Sequence, residues 1–197
     1  GRRGKGVLFL WSAGNSNCPI NYDGAEKILY SQNINDEPKY ASHFINNLSA
    51  LNNILVVSAV SPFYKKASYS CFGPGIDICA PSHDNYSSNG EIKNLGLTTL
   101  SADPNRYTHN FKGTSGAWAV TAGVAALNLS LSMNQTASEL GSNLKSRACK
   151  NLSRNYSSFK SEVLNSSNNV SKEFLFENEK SPQKLFEIFY GSGKVSV

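Results

Sequence analysis

Short apolar runs alternate with longer polar stretches along this chain, and the pattern predicts strands and helices in alternation. Val7–Trp11 holds five consecutive apolar residues. A run this short, following Gly6 and followed by a Ser-Ala-Gly-Asn stretch, is typical of a strand buried on both faces of a parallel sheet. Ile54–Val60 has the same character, and Ile76–Ala80 ends at Pro81. We expect these three segments to be strands.

Helices are predicted in three places. The apolar spacing within Tyr40–Asn52 favours a helix with one apolar face. From Ser115 onward, alanine, glycine and valine dominate, which favours a helix that lies close to a sheet and is buried on several sides. Thr136–Cys149 should form another helix, with Thr136 as its N-cap and Glu139 completing a capping box.

The polar stretches between these elements are predicted to be loops. They are Asn15–Glu37, Ser82–Asn94 and Ser101–Lys112, with a short strand at Leu95–Leu100. Asn151–Lys184 is rich in serine and asparagine and weakly patterned. Alternating strands and helices predict an α/β fold with a largely parallel sheet.

Composition narrows the class of protein. With 197 residues, 40% of them apolar and 17% charged, the chain is neither a disordered polyelectrolyte nor a coiled coil. No apolar run is long enough to span a bilayer, so we expect no membrane segment. The net charge of +5 is scattered, whereas nucleic-acid binding needs a basic stripe, so no nucleic-acid partner is predicted.

Four cysteines occur, at Cys18, Cys71, Cys79 and Cys149. No CxxC pair is present, which argues against a zinc ribbon or a thioredoxin-type site. An even count permits two disulfides in an oxidising compartment, with three connectivities. Cys79 is interpreted as a small buried residue, and the other three stay open.

Two stretches fall where the chemistry of α/β proteins gathers, at the end of a strand and the start of a helix. Gly113–Ala117 opens the small-residue helix, and its Ser115 is either a helix cap or a nucleophile whose own N–H faces a developing oxyanion. Ser12–Asn15 follows the first strand, and Asn15 is either a turn residue or a second oxyanion donor.

Taken together, these motifs resemble the subtilisin-like serine proteases, or subtilases. They look more like the bacterial subtilisins and their protozoan relatives than the kexin and furin branch. Gly113–Ala117 resembles the nucleophile motif and Ser12–Asn15 the segment with the oxyanion asparagine. The other similar stretches, in chain order, are Ile54–Val60, Ala67–Gly73, Ile76–Pro81, Ala122–Leu127 and Tyr190–Val195.

The resemblance implies a subtilisin-like three-layer α/β fold with a mostly parallel sheet. It covers about residues 5–150 and the last eight, so residues 1–150 are interpreted as the C-terminal portion of a peptidase domain. Residues 151–197 are then the Ser/Asn-rich end of that domain, closing with the YGxG-like segment.

The resemblance also implies hydrolysis of peptide bonds in a polypeptide substrate by a Ser-His-Asp triad. Ser115 would be the nucleophile and Asn15 the oxyanion donor, with Gly14 beside the substrate. The family's Asp and His precede the oxyanion Asn, yet His43, His83 and His109 all follow Asn15 and none has the H-G-T context. We therefore expect an incomplete domain whose missing N-terminal part supplies both.

Three features depart from the family or leave a second interpretation open. Ala119 stands where the family has proline, which keeps a backbone N–H that proline lacks. Asp23 resembles the convertase residue that faces a basic substrate side chain, or it lies in a simple turn. The alternative functions are a non-catalytic, peptide-binding relative and an unrelated α/β binding domain; the second would require Asn15 and Ser115 to lie far apart.

Cofactor and compartment are only weakly indicated. Calcium sites occur in the family, but no run of carboxylates has ligand spacing, so no metal ligand and no other cofactor is assigned. Eight N-x-S/T sequons are present, most of them expected by chance in a chain this rich in asparagine and serine. They favour, weakly, an extracellular or secretory location.

Overall fold

The computed structural model describes residues 1–31, 39–51, 53–88, 91–103, 106–152, 183, 187 and 190–196. The elements within these ranges are strands, two α-helices and one short 3-10 helix. The strands are β1 Phe9–Ser12, β2 Tyr22–Ser31, β3 Lys39–Phe44, β4 Ile54–Val60, β5 Ile78–Pro81, β6 Asp84–Ser88, β7 Glu91–Leu95, β8 Leu97–Leu100 and β9 Tyr107–Phe111. The helices are α1 Gly113–Leu131, α2 Ala137–Ser146 and the 3-10 helix Asn47–Ala50.

A parallel sheet of three strands, in the order β1-β4-β5, forms the centre of the described structure. It is made of the three segments predicted as strands, and the predicted α/β class with a parallel sheet is confirmed. β4 is the middle strand, and all of its residues after Ile54 are buried. Its run of valine, leucine and isoleucine suits a strand covered on both faces.

Both α-helices pack on one face of this sheet. The small residues Ala117 and Ala125 of α1 join the same buried cluster as Leu55 and Val57 of β4, and their short side chains let the helix approach the strands closely. Leu140 and Leu144 complete that cluster from α2 and are each 1% exposed. The predicted capping box of α2 is confirmed.

The last described segment lies along the outer edge of β5. Cys79 donates its N–H to Gly193 O at 3.0 Å and accepts at its carbonyl from the Val195 N–H at 2.9 Å. Tyr190 is fully buried, and its hydroxyl accepts a hydrogen bond from the Lys66 backbone N–H at 3.2 Å. These contacts pack the YGxG-like stretch against the sheet.

The outer side of β1 is open, which corrects the prediction of a strand buried on both faces. Phe9 is 58% and Trp11 49% exposed. The Phe9 N–H donates to Asn53 O and the Ala13 N–H to Val57 O, so the alternating backbone turns the Leu10 carbonyl to the opposite edge. There it accepts a 2.8 Å hydrogen bond from Nε1 of Trp118 on α1.

Several polar stretches contain regular structure that the sequence did not predict. The helix expected over Tyr40–Asn52 is wrong: β3 occupies its start, and only a 3-10 turn follows. Antiparallel pairing joins β2 to β3, β6 to β7 and β8 to β9, and of these strands β2, β6, β7 and β9 lie in segments predicted as loops. The strand expected at Leu95–Leu100 is confirmed as β8. Cross-strand hydrogen bonding overrides weak local propensity in these hairpins. The stretch 153–182, predicted to be irregular, lies outside the described residues.

Among the described residues, no helix is both long enough and apolar enough to cross a membrane.

Candidate active site

Ser115 lies in the first turn of α1, immediately after a tight turn at Gly113. Gly113 has φ +81°, a left-handed conformation that costs glycine little and other residues more. The N-cap of α1 is Lys112 and Ser115 is the third helical residue, so the serine is not the cap. Its side chain is exposed, and no described residue forms a hydrogen bond with its hydroxyl.

The loop after β1 reaches this helix start from the far end of the chain. Asn15 Oδ1 accepts one hydrogen bond from the Thr114 N–H at 2.8 Å and another from the Thr114 hydroxyl at 3.0 Å. Gly14 donates its N–H to the same hydroxyl at 3.2 Å. The two stretches singled out in the sequence therefore meet, and the interpretation that required them to lie far apart is wrong.

The two bonds from Thr114 fix the orientation of the Asn15 carboxamide. With Oδ1 engaged, the amide nitrogen Nδ2 is left as the group that can donate elsewhere. Nδ2 lies close to the turn, since a Cβ added at Gly113 would be 3.2 Å from it. Among the described residues, no acceptor is bonded to Nδ2 or to the Ser115 N–H.

These donors meet at the positive end of a long helix. The first backbone N–H groups of a helix have no intrahelical acceptor, and the helix dipole adds partial positive charge there. An amide side chain, a free backbone N–H and an exposed hydroxyl at one helix start can together stabilise an anion beside a nucleophile. Acyl transfer uses donors of this kind beside its nucleophile.

A second group of residues, on the side of β5, supports the turn at Gly113. These residues were not identified from the sequence. Ser82 donates its hydroxyl hydrogen to Gly113 O at 2.7 Å. The Tyr69 hydroxyl lies 3.2 Å from Ser82 Oγ and donates to His83 O at 2.9 Å. Burial raises the pKa of Tyr69, so the phenol stays a neutral donor. The signal in the sequence was the position of Ser82, directly after the proline that ends a strand.

Comparison with known proteins now decides the family. The model of the subtilase family (Peptidase S8) matches residues 1–182. This chain belongs to the subtilase family. Calcium-dependent proteases from Nostoc sp. and Trichormus variabilis are each 31% identical over 160 residues, covering 76% of this chain and 20% of the relative. The chain thus spans about a fifth of the length of these curated relatives.

A solved structure of a cold adapted subtilisin-like serine proteinase is similar to this subtilase chain. The two are 24% identical, with a TM-score of 0.46. The match covers 75% of this chain and 40% of that one.

The three histidines of this subtilase chain contact residues other than Ser115. His43 Nδ1 lies 3.3 Å from Asp23 Oδ1, and His109 Nδ1 lies 2.9 Å from Thr98 Oγ1. His83 is buried and stacks on the ring of Tyr69, with the centroids 6.3 Å apart. Within the described ranges, no histidine is hydrogen-bonded to Ser115.

Asp23 and Gly14 were the predicted substrate-binding residues. Asp23 lies in β2 with its side chain 86% exposed and paired with His43, so it occupies a strand rather than a turn or a buried pocket. Gly14 uses both backbone groups inside the chain, since its carbonyl accepts from the Cys71 N–H at 2.9 Å and its N–H is bonded to Thr114. The binding roles of both residues stay predictions.

Calcium would need a cluster of oxygen ligands. In the described part of the chain, no group of three or more His, Cys, Asp or Glu side chains could hold a metal ion.

Proposed function

We propose that this chain carries the nucleophile and the oxyanion hole of a serine endopeptidase. Ser115 Oγ attacks the scissile carbonyl of a polypeptide, and the negative charge that develops on its oxygen is bound by Asn15 Nδ2 and the Ser115 N–H. The supporting observation is the pair of hydrogen bonds that fix Asn15 Oδ1 against Thr114, next to Ser115. Preorganised donors of this kind need no rearrangement during reaction.

A serine needs a general base, and we propose that a further segment of the same polypeptide supplies the His and Asp. Without a base the hydroxyl is a weak nucleophile, so this chain alone is expected to lack triad catalysis. The proposal is supported by the neighbours of the three histidines and by the small share of the relatives' length that the chain spans.

Exposed apolar surface supports the same proposal. Phe9 and Trp11 of β1 are about half exposed, as are Trp118 and Leu127 of α1. Large apolar side chains left exposed on neighbouring elements favour an interaction with a further segment. We propose that the segment carrying the base covers this side of β1 and α1 and brings its histidine to Ser115.

The alternative is a non-catalytic relative that binds peptides without cleaving them. Ala119, which stands where the family has proline, favours it, since the substitution marks a departure in the nucleophile helix itself. In that case the same donors would hold a peptide carbonyl, and no base would act on Ser115.

A fluorophosphonate probe tests the proposal, because it labels only activated serines. The experiment uses a longer form of the polypeptide that includes the residues preceding Gly1, with the 197-residue chain as comparison. We expect the longer form to be labelled at Ser115 and the shorter one not. Ser115→Ala should abolish labelling, whereas Ser130→Ala, an exposed serine on the same helix, should not. An unlabelled but folded longer form would favour the peptide-binding alternative.

A further inference from the structure

Two cysteines that the proposed chemistry does not use lie side by side behind the Asn15 loop. The sulfur atoms of Cys18 and Cys71 are 3.6 Å apart, although 53 positions separate the residues in the chain. Their side chains are buried, at 9% and 4% exposure. Among the described residues, no other hydrogen bond joins two cysteine side chains.

Backbone hydrogen bonds hold the two cysteine-bearing segments together. The Phe72 N–H donates to Cys18 O at 3.1 Å, and the Ile20 N–H donates to Phe72 O at 2.7 Å. On the other side, the Asn17 N–H donates to Tyr69 O at 2.8 Å. Sulfur atoms so placed need to approach by only about 1.5 Å to reach bonding distance.

We propose that Cys18 and Cys71 form a disulfide that ties the Asn15 loop to the segment 69–73, with a low-molecular-weight disulfide such as oxidised glutathione as the oxidant. We expect this disulfide to form and break reversibly by thiol–disulfide exchange. It would match the secretory location predicted from the sequence, because disulfides persist in oxidising compartments.

The local electrostatics favour Cys71 as the attacking sulfur. The hydrogen bond from Cys18, together with backbone N–H donors and the Lys66 ammonium, lowers the pKa of Cys71, and the same pairing with burial raises the pKa of Cys18. The Lys66 ammonium is itself held nearby, by Ala67 O and Ser70 O at 2.9 Å each. A thiolate is the reactive form in exchange.

The exchange proceeds in two balanced steps. The Cys71 thiolate attacks one sulfur of the small disulfide, forming a mixed disulfide and releasing one small thiolate. Cys18 then loses its proton to water and attacks the Cys71 sulfur, which releases the second small thiolate. Two protein thiols are oxidised to one disulfide, and one small disulfide is reduced to two thiols.

Gly14 connects the proposed disulfide to the candidate site. The effect on that site rests on the proposed function. A Cβ added at Gly14 would lie 3.2 Å from Cys71 Sγ, and the Gly14 carbonyl is bonded to the Cys71 N–H. Asn15 is the next residue, so fixing Cys71 to Cys18 restrains the loop that presents the amide. We expect the disulfide to hold the Asn15 amide in position beside Ser115. Its reduction should allow the Asn15 loop to move.

Peptide mapping of the wild-type chain tests the bond without relying on catalysis. The purified chain is equilibrated with reduced or oxidised glutathione, denatured, alkylated and digested. We expect the oxidised sample to yield a peptide pair joined through Cys18 and Cys71, and a mass lower by about 2 Da before alkylation. Four alkylated cysteines after oxidation, or a link that uses Cys79 or Cys149 instead, would overturn the proposal.

Thermal unfolding tests whether the bond restrains the loop. Oxidation should raise the Tm of the wild-type chain by about 5 °C or more, since the bond closes a long loop, and should leave Cys18→Ser unchanged. Cys149→Ser serves as the matched control and should keep the rise. A linked pair with no change in Tm would overturn the restraint.

Activity in the longer polypeptide separates this proposal from the proposed function. If Ser115 is labelled there, reduction of the Cys18–Cys71 bond should lower kcat with little change in KM. A longer form that stays unlabelled in both redox states refutes the endopeptidase and leaves the peptide map to decide the disulfide.

Discussion

β1 and β4 are neighbouring parallel strands with apolar residues throughout most of their length, yet they differ sharply in burial. In β4 every residue after Ile54 is buried, whereas no residue of β1 is. α1 and α2 cover one face of the sheet, and Ile20, Cys18 and Cys71 cover the other face of β4 beside Val56. Among the described residues, nothing comparable covers Phe9 and Trp11. An apolar run predicts a strand, but its neighbours in the fold decide how much of it is hidden.

The exposed strand β1 also lies next to the candidate site. β1 ends at Ser12 and leads directly to Asn15, and Ser115 lies in the first turn of the helix whose Trp118 reaches the edge of β1. The candidate site therefore lies beside the incompletely buried strand, and we expect stability to come mainly from the covered side. The following substitutions test this division.

The largest effect on stability should come from the covered side. Leu140→Ala removes a side chain that is 1% exposed and should lower the free energy of unfolding by about 2–5 kcal/mol through lost burial and a cavity. Leu127→Ala, on α1 and 53% exposed, should cost less than about 1 kcal/mol. Denaturant unfolding of both variants measures the contrast.

Leu140→Ala and Leu127→Ala can also be compared in the longer polypeptide, where they test whether a further segment covers α1. If a further segment covers α1 there, Leu127→Ala should become as costly as a core substitution. Equal, small effects of Leu127→Ala in both forms would contradict the proposed cover.

Asn15 allows a structural role to be separated from a catalytic one. Asn15→Asp keeps an oxygen to accept from Thr114 but loses the Nδ2 donor, whereas Asn15→Ala loses both. In the active longer form both variants should lower kcat by a factor on the order of 10²–10³, the magnitude known for the oxyanion asparagine of subtilisin itself, with KM little changed. Steady-state kinetics on a peptide substrate measures this.

If Asn15 only holds Thr114 in place, Asn15→Asp should retain wild-type kcat and only Asn15→Ala should lose activity. That result would remove the oxyanion assignment while leaving the fold intact.

A smaller effect is expected at the capping box of α2, on the covered side. Thr136→Ala removes the oxygen that accepts from the Glu139 N–H at 3.2 Å and should lower the free energy of unfolding by about 1 kcal/mol. Ser146→Ala, near the other end of the same helix and exposed, is the control and should change it little. Chemical unfolding compares the two.

The same box gives a pH dependence with a defined sign. Hydrogen bonds from the Thr136 N–H and hydroxyl lower the pKa of Glu139 below its ordinary 4.5. The stabilisation is therefore present above pH 4.5 and is lost as the pH falls through the lowered pKa. Glu139→Gln should flatten this part of the stability profile, and an unchanged profile would contradict the ionic role.

The buried strands and the helix caps could be predicted from the sequence because their causes are local. A mostly apolar run marked β4, an apolar run between Gly75 and Pro81 marked β5, and Thr136 with Glu139 marked the start of α2. The hairpin β2–β3 could not be predicted, because its strands are fixed by pairing with each other and not by their own composition. The helix expected over Tyr40–Asn52 failed for the same reason.

At the candidate site, motif order was enough to find Ser115 and Asn15 but not their supports. The bonds from Thr114 to Asn15 and from Ser82 to Gly113 join residues remote in sequence, so only the fold reveals them. The contact between Cys18 and Cys71 is of the same kind. Spacing predicted the candidate residues, and the packing of the fold determines what holds them in place.

The fluorescence of Trp118 can report on the open edge of β1. Its indole N–H occupies the outward carbonyl of Leu10, the acceptor that a newly paired strand would have to use. An added strand on this edge must therefore displace the ring, and the intrinsic fluorescence of the chain would change as it does so. Binding of a strand at this edge can therefore be followed in real time, with no label attached.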